Sequence, residues 1–349
     1  MAFDVRRLFF LLSGEHQRLP AAEIKAILDS EEIPFKKVKT FKQILSLITE
    51  EKTIFKVYSR ASYTKSCCIE LFNHIADEEE ILKRVSEIDY GNLVKGHRTI
   101  AVRVTRVQRS SPELRIEKLE SRIGGRIIEN TTGVGVNLKS PDITFQGVIT
   151  GNHFIFGVKI TDIDQRSFDE RRLKNRPFFH PSALHPKLAR CMVNLSRAHS
   201  GSNLLDPFCG TGSILIEGGT VGCRVVGSDV QSSMVEGSLK NLRRFNIEPF
   251  GLVVSDALQI PFEIVDCVAT DPPYGRLATT LGSPVKNLIR DFLSSVIDVL
   301  QRNGHVAISS PKGLGVRDLG AEVGFEAVEG YFIYVHRSLT RELAVLKKR

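Results

Sequence analysis

The spacing of hydrophobic and polar residues predicts a chain of short strands and helices. In the first ninety residues, the apolar run 8–12 predicts a buried strand and residues 19–28 predict a helix. Residues 53–58 predict a second strand, and residues 66–75 a helix that continues beyond them. Together these elements predict a small mixed α/β unit.

The next stretch has clearer periodicity. Residues 99–107 alternate apolar with polar side chains, Arg103 among them, which predicts a half-buried strand with a basic edge. A helix is predicted over residues 111–123, ended by the glycines at 124–125. Residues 143–160 predict two strands joined by a tight turn, because Gly151-Asn152 has the chemistry of a hairpin turn.

Residues 162–177 have mixed charge and no hydrophobic period, so we predict a linker between domains. Arg171 and Arg172 on this stretch can follow the phosphates of a nucleic acid. Acidic residues lie between these arginines, and an ordinary solvated linker is an equal alternative.

The second half begins with a predicted helix over residues 185–199 and a short strand over residues 203–205. A glycine loop follows, containing Gly210 and Gly212, and a helix follows the loop, which is typical of a nucleotide site. The loop lacks the third glycine of the dinucleotide fingerprint and the lysine of a phosphate-binding loop. Asp206 at the strand end instead suits a cationic amino group, which favours S-adenosylmethionine.

Three further predicted strands also end in acidic residues. Asp229 follows the second strand and can accept from ribose hydroxyls, and Asp256 follows the third and can accept from the adenine amine. Asp271 follows the apolar run 264–269. In a parallel sheet these strand ends share one edge, where open α/β sheets bind ligands. Any one of them alone is equally compatible with a helix cap.

The sequence Asp271-Pro272-Pro273-Tyr274 is the strongest chemical signal. Proline fixes φ and donates no N–H, so the carbonyl groups can serve as oriented acceptors. With the Asp271 carboxylate and the Tyr274 ring, they suit a flat group that carries an NH₂. Hydrogen-bond acceptors placed against the N–H groups of a nucleobase amine favour the pyramidal, reactive form of its nitrogen. The alternative is an ordinary turn with proline at its second position.

The length and net charge of the chain limit the classes of protein to which it can belong. A chain of 349 residues predicts two or three domains, and its net charge of +8 favours a polyanionic partner. Charge alone does not separate nucleic acid from an anionic membrane. Six cysteines without metal-type spacing predict reduced thiols and no metal site, and no apolar run reaches membrane-spanning length, so we expect a cytoplasmic protein.

Residues 176–349 resemble a class I S-adenosylmethionine-dependent methyltransferase acting on amino groups. The motifs are His180-Pro181, residues 206–212, residues 271–276 and the stretch 334–339. Residues 136–142 and the hairpin after them resemble the THUMP RNA-binding domain. The combination resembles the THUMP-containing tRNA guanine-N2 methyltransferases, above all those that modify guanosine 10.

The resemblance implies a fold class and a domain plan. We expect an α/β protein with a Rossmann-like methyltransferase domain on a mostly parallel seven-stranded sheet. The expected domains are a ferredoxin-like unit over residues 1–92, THUMP over 93–161, a linker over 162–177 and the methyltransferase over 178–349.

The resemblance also implies site residues. The catalytic positions are Asp271, Pro272, Pro273 and Tyr274. The positions expected at the cofactor are His180, Pro181, Asp206, Phe208, Gly210, Gly212, Asp229, Val230, Asp256 and Ala257. The expected RNA contacts are Arg103, Lys139, Arg171, Arg172 and Arg276.

The expected activity is methyl transfer to the N2 amine of a tRNA guanosine, with one or two methyl groups added. Alternatives are action at position 6, a DNA adenine-N6 methyltransferase, a nicotinamide-dependent oxidoreductase and a non-catalytic RNA-binding subunit. We expect a monomer that binds tRNA. The resemblance to eukaryotic enzymes leaves open a small activating zinc-binding protein partner.

Overall fold

The computed structural model describes residues 5–273, 283–337 and 339–349, without the side chains of Ser283 and Pro284. The chain divides into two compact units. The first contains Ile33–Tyr58, Thr64–Ile163 and the residues up to Ala21, and the second contains Ala22–Glu32, Ser59–Tyr63 and Asp164–Arg349.

The residues up to Asp162 form an eight-stranded mixed sheet with helices. In chain order the elements are β1 (Val5–Leu12), α1 (Leu19–Ser30), β2 (Phe35–Phe41), β3 (Ile44–Glu50), α2 (Thr53–Arg60), β4 (Thr64–Ile75), α3 (Glu78–Ser86), β5 (Thr99–Arg106), α4 (Ile116–Glu129), β6 (Gly135–Val136), β7 (Ile143–Thr150) and β8 (His153–Asp162). The strand order is β2-β3-β1-β4-β8-β7-β5-β6, and the predicted hairpin is the pair β7 and β8.

The centre of this sheet is the antiparallel pair β4 and β8. Phe154 and Phe156 of β8 are fully buried, and the Phe156 ring stacks on Phe145 of β7 with centroids 5.8 Å apart. At Gly157, a Cβ atom would lie 1.9 Å from the Ile69 carbonyl oxygen, so only glycine fits beside β4. Strands from both predicted N-terminal domains therefore lie in one sheet, and the boundary at residues 92–93 stays a prediction.

Two of the sequence predictions in this part are wrong. Residues 53–58 form helix α2 instead of a strand. Thr53, Ile54 and Val57 are fully buried at helical spacing, so packing outweighs the strand preference of their β-branched side chains. Residues 66–75 form strand β4 instead of a helix. Ser66, Cys67 and Cys68 are buried at consecutive positions, so both faces of this part of β4 are covered and alternation is lost.

Helix α4 also differs from its prediction. It begins at Ile116 instead of near Ser111 and continues through Gly124 and Gly125 to Glu129. A glycine inside a helix costs only about 1 kcal/mol relative to alanine. The buried stripe of Leu119, Ile123 and Ile127 outweighs that cost.

The second unit contains a seven-stranded, mostly parallel sheet, which confirms the predicted fold class. After α5 (Arg166–Glu170) and a 3₁₀ turn (Leu173–Asn175), the elements are α6 (Pro186–Leu195), β9 (Asn203–Asp206), α7 (Ser213–Val221), β10 (Arg224–Asp229), α8 (Ser232–Arg244), β11 (Gly251–Val254), β12 (Val265–Thr270), α9 (Ser283–Val299), β13 (Leu300–Pro311), α10 (Val316–Glu322), β14 (Phe325–His336) and β15 (Leu339–Lys348).

The strand order of this sheet determines where a ligand can bind. It is β11-β10-β9-β12-β13-β15-β14, with β15 antiparallel to both of its neighbours. From β9 the chain first builds outward through β10 and β11, and then returns to add β12 on the other side of β9. The direction of winding therefore reverses between β9 and β12. In open α/β sheets, the crevice beyond the carboxyl ends of such strands is the usual ligand site.

A buried group of charges ties the predicted linker to this unit. Glu217 of α7 is fully buried, with Oε1 2.7 Å from Arg171 Nε and Oε2 2.9 Å from Arg190 Nη2. The Phe168 ring packs against the guanidinium groups of both arginines. Removing the shared carboxylate would leave two buried cations without their partner.

We therefore expect Glu217→Ala to lower the free energy of unfolding by about 3–5 kcal/mol. The matched control is Glu322→Ala, because the Arg290–Glu322 pair is 37% and 51% exposed and should contribute less than about 1 kcal/mol. Urea denaturation followed by circular dichroism measures both. Equal losses in the two variants would contradict a stabilising role for the buried charges.

Candidate active site

Asp206 is the buried centre of the crevice between β9 and β12. Its side chain is almost wholly enclosed, and its Oδ1 accepts hydrogen bonds from Thr270 Oγ1 at 2.7 Å and from the Phe208 N–H at 3.3 Å. Burial raises the pKa of Asp206 to about 7, and repulsion from Asp271 and Asp229 raises it further. The two hydrogen bonds act in the opposite direction and lower the pKa. Both bonds from described residues fall on Oδ1, which leaves Oδ2 as an acceptor.

The glycine loop after β9 is attached to β10. The Gly210 N–H donates to Asp229 Oδ2 at 3.0 Å, and the Cys209 N–H donates to the Ser228 carbonyl at 2.9 Å. Gly210 and Gly212 have φ of +48° and +78°, a region that favours glycine. Beyond its chain neighbours, no heavy atom of the described residues lies closer than 4.0 Å to a Cβ built at Gly210, so they leave this side of the loop open.

The next two predicted cofactor carboxylates cap turns at the same sheet edge. Asp229 Oδ1 accepts a hydrogen bond from the Gln231 N–H at 3.0 Å, so both of its carboxylate oxygens are bonded to backbone N–H groups. Asp256 is exposed, and its Oδ1 accepts from the Leu258 N–H at 3.0 Å. Each oxygen has a second lone pair, so these bonds are compatible with binding further donors.

Apolar residues lie beside these turns. Val230 is exposed and Ala257 is buried. The Phe208 ring meets Phe292 edge-on, with centroids 5.1 Å apart. The sequence prediction included Val230, Ala257 and Phe208, and the structure places each beside one of the three carboxylates.

The segment before α6 is joined to the glycine loop through Asn241 of α8. Its amide exchanges hydrogen bonds with the Phe178 backbone and donates to the Thr211 carbonyl at 3.0 Å. Two residues later, His180 Nδ1 lies 2.7 Å from Ser182 Oγ, and Pro181 is exposed. The structure thus ties this segment to the loop at Phe178.

The predicted catalytic residues follow β12 directly. Asp271 Oδ2 lies 3.6 Å from Arg341 Nη1, and both side chains are mostly enclosed, at 13% and 16% exposure. Pro272 is buried and Pro273 is exposed. Tyr274 lies outside the described residues, as does Arg276.

Sequence reasoning missed two polar residues of this site. Thr270 is the only hydroxyl side chain in β12 and directly precedes Asp271, which was a usable signal. Arg341 offered no local signal. It lies opposite Pro311 and Ile333 in the sheet, and only strand pairing brings it to Asp271.

The predicted RNA contacts fall in different environments. Arg103 Nη2 donates to the Leu138 carbonyl at 2.6 Å, which places Arg103 beside the exposed Lys139. Arg172 is exposed, with Nε 2.8 Å from Asp169. Arg171 is buried against Glu217, as described above, so its guanidinium is not part of an exposed basic surface.

The carboxylate acceptors at the crevice suit an organic cation. Within the described ranges, no three His, Cys, Asp or Glu side chains are grouped as metal ligands. All six cysteines are free and buried. No described helix is long and apolar enough to cross a bilayer. The spare Oδ2 of Asp206 beside an open glycine loop fits an ammonium group.

Family models match both halves of the chain. A THUMP domain model matches residues 75–159, and the model described as RMKL-like, methyltransferase domain matches residues 174–341. The tRNA (guanine(10)-N2)-dimethyltransferase of Methanothermobacter thermautotrophicus is 36% identical over 98% of this chain and 99% of its own length. The chain belongs to the tRNA (guanine(10)-N2)-dimethyltransferase family.

Other relatives agree with this family assignment. The tRNA (guanine(10)-N2)-dimethyltransferase of Methanocaldococcus jannaschii is 31% identical over 97% of this chain and 99% of its own length. Among solved structures, TrmN from Thermus thermophilus matches with a TM-score of 0.56 and 18% identity, covering 99% of this chain and all of that one, which supports the fold. The family resemblance predicted from the sequence is confirmed.

The glycine loop of this family member gives a prediction about stability. A Cβ at Gly212 would lie 2.4 Å from Ser238 Oγ, and its φ costs alanine about 1–2 kcal/mol. We expect Gly212→Ala to destabilise more than Gly210→Ala, which meets no such contact. Ser238→Ala in the Gly212→Ala background should restore the part of the stability that the steric clash removes.

Thermal and urea unfolding of these variants, with Ser238→Ala alone as control, measures the two contributions. Ser238 is fully buried, so that control measures what the loss of its hydroxyl group costs, and this cost is subtracted from the result for the double variant. A double variant no more stable than Gly212→Ala would contradict the predicted collision.

Proposed function

We propose that this protein transfers methyl groups from S-adenosylmethionine to the exocyclic N2 amine of guanosine 10 in tRNA. The products are N2-methylguanosine and N2,N2-dimethylguanosine. The observation that carries the proposal is the junction at the end of β12, where Thr270 binds the buried Asp206 and the next residue is Asp271. A site for a cationic cofactor and a site for an amine thus adjoin, in a chain whose relatives have this activity.

The crevice has residues that suit each part of the proposed cofactor. When bound, S-adenosylmethionine supplies an electrophilic methyl group. Asp206 Oδ2 accepts from the ammonium group, Asp229 from the ribose hydroxyls and Asp256 from the adenine amine. The remaining residues proposed to line this site are Phe208, Gly210, Gly212, Val230, Ala257, His180 and Pro181.

The target amine is held by the residues after β12. Asp271 and the Pro272 carbonyl accept hydrogen bonds from its two N–H groups, and Arg341 fixes the direction of the Asp271 carboxylate. Asp271 also takes the proton that the amine loses on methylation. Pro273 limits backbone movement, and Tyr274 stacks on the base. Extracting the guanine from its helix costs a few kcal/mol, and stacking offsets about 1–3 kcal/mol of that cost. Positioning then supplies much of the rate enhancement.

The substrate is held by the basic surfaces of the chain. Arg103 and Lys139, inside the THUMP match, and Arg172 contact tRNA phosphates. Arg276 is a further candidate, and the burial of Arg171 removes it from this proposal. The proposed domains are those expected from the sequence. Action on tRNA and six free thiols support a cytoplasmic enzyme. A monomeric state and a small zinc-binding activating partner stay predictions.

The Asp271 carboxylate should be essential for turnover. We expect Asp271→Asn, which keeps the shape but loses the charge, to lower kcat by about 10²–10⁴-fold. The dissociation constants for cofactor and tRNA should stay within about threefold of wild type, because those ligands have other contacts. Labelled methyl transfer to unmodified transcripts measures the rate, and wild-type turnover in the variant would refute the assignment.

The same assay identifies the modified guanosine. Mass spectrometry of digested product distinguishes one from two methyl groups. A transcript with adenosine at position 10, its pairing partner changed to match, should accept no methyl group. If a transcript with adenosine at position 6 is the one that accepts no methyl group, the chain has the sibling activity. No transfer to any transcript would favour a binding subunit.

Ionisation of Asp206 should control cofactor affinity. Since its pKa is raised to about 7, the carboxyl is mostly neutral at pH 6 and mostly charged at pH 7.5. An ammonium ligand prefers the charged form, so we expect binding about eightfold weaker at pH 6 than at pH 7.5. In the free protein the same raised pKa means that stability is lost as pH rises from about 4 through 7.

Calorimetric titration with S-adenosylmethionine at the two pH values measures this difference. Asp206→Asn is the control, because it removes the ionisable group and should give weak binding with little pH dependence. Equal wild-type affinity at both pH values would exclude contact between the ammonium group and an ionising Asp206.

A further inference from the structure

An aromatic pair is exposed on the outer strand of the second sheet. Phe332 is 55% exposed and Tyr334 is 72% exposed, although both lie in a regular part of β14. Ile333 between them is buried at 6% exposure, so the two rings project from the same face. Single exposed aromatic residues are ordinary, but two on the same face of one strand are less so.

A cation packs against this pair. Lys312 Nζ lies 5.3 Å from the centroid of the Phe332 ring, and it has no carboxylate partner within the described part of the chain. Arg337 is exposed at the end of the same strand. Glu342 lies opposite Phe332 on β15, but it is enclosed and its Oε1 is 2.8 Å from Arg317 Nε. The local surface is therefore aromatic with an excess of positive charge.

The pair lies on the sheet edge that carries the proposed active site. Arg341 of β15 is opposite Ile333, and the same side chain contacts Asp271, so the pair is close to the level of Asp271 along the strands but projects from the opposite face of the sheet. Strands β12, β13, β15 and β14 are consecutive, so three spacings of about 4.8 Å place β14 about 14 Å from β12. At that distance the rings cannot touch a base held at Asp271. A nucleotide that flanks such a base can reach them where the RNA crosses the carboxyl edge of the sheet to this face.

We propose that Phe332 and Tyr334 form a stacking platform for an unpaired base of the RNA substrate, with Lys312 contacting its phosphate. The proposal rests on the proposed function for its substrate. Aromatic rings accept the face of any base, and a neighbouring cation provides the charge complement of the backbone. Extraction of the target guanosine disrupts stacking beside it, and a flanking base held on this platform would stabilise the opened RNA.

The test compares aromatic removal with a matched control. Phe332→Ala/Tyr334→Ala should raise KM for tRNA at least tenfold and weaken tRNA binding similarly. KM for S-adenosylmethionine should not change. Phe332→Tyr and Tyr334→Phe keep the rings and should behave like wild type. Phe250→Ala is the control, since Phe250 is 72% exposed on the same unit and lies before β11, the opposite outer strand.

Lys312 gives an independent measurement. Lys312→Gln should reduce the slope of log Kd against log salt by about 0.7, the value for one phosphate of a single strand. A slope equal to wild type would remove Lys312 from the proposal. A double aromatic variant with KM for tRNA within twofold of wild type would overturn the platform.

Two outcomes separate this proposal from its rivals. If the double variant binds tRNA normally but changes the mass of the protein in solution, the face is an interface between copies of the chain and the platform is wrong. If wild type transfers no methyl group to tRNA, the proposed function fails. The binding measurements then still decide whether these rings contact RNA.

Discussion

The hydrogen bond from Thr270 to Asp206 joins the ends of β12 and β9, the two strands between which the winding of the second sheet reverses. At 2.7 Å it is a short contact to a carboxylate that burial would otherwise leave poorly solvated. Asp271, the proposed acceptor for the target amine, is the next residue after Thr270. The distance between the proposed cofactor site and the proposed target site is therefore set by the sheet itself, with one side-chain hydrogen bond between the two strand ends.

Further contacts make that junction rigid from both sides. Gly210 donates to Asp229, so the loop after β9 is fixed to the end of β10. On the other side, Arg341 of β15 reaches across to Asp271. Each contact connects a residue at one strand end with a residue at another. Groups fixed in this way suit a reaction in which much of the catalysis is orientation.

Charge has two separate uses in this protein. Arg171, Arg190 and Glu217 form a buried group that holds the segment before α6 against α7. Arg103, Lys139 and Lys312 are on or near surfaces, where a cation can meet phosphate. The net charge of +8 does not distinguish these uses. Burial does, because a guanidinium already bonded to a carboxylate has little left to offer a ligand.

The sequence alone determined the features that depend on neighbouring residues. The glycine loop, the acidic residues after successive strands and the hairpin turn at Gly151-Asn152 are each written within a few positions, so the fold class and the family could be predicted. Local patterns failed where packing outweighed preference, as in β4, whose two covered faces remove the alternation that marks a strand.

Only the tertiary structure decided which distant side chains meet. Thr270 lies 64 positions from Asp206, and Arg341 reaches Asp271 through strand pairing. The sequence around Arg171 is compatible with a phosphate contact, but in the structure its guanidinium is paired with Glu217. The exposure of Phe332 and Tyr334 likewise depends on which face of β14 other elements cover, since Ile333 between them is buried. Strand order and burial come from the whole chain packing together, so no short segment contains them.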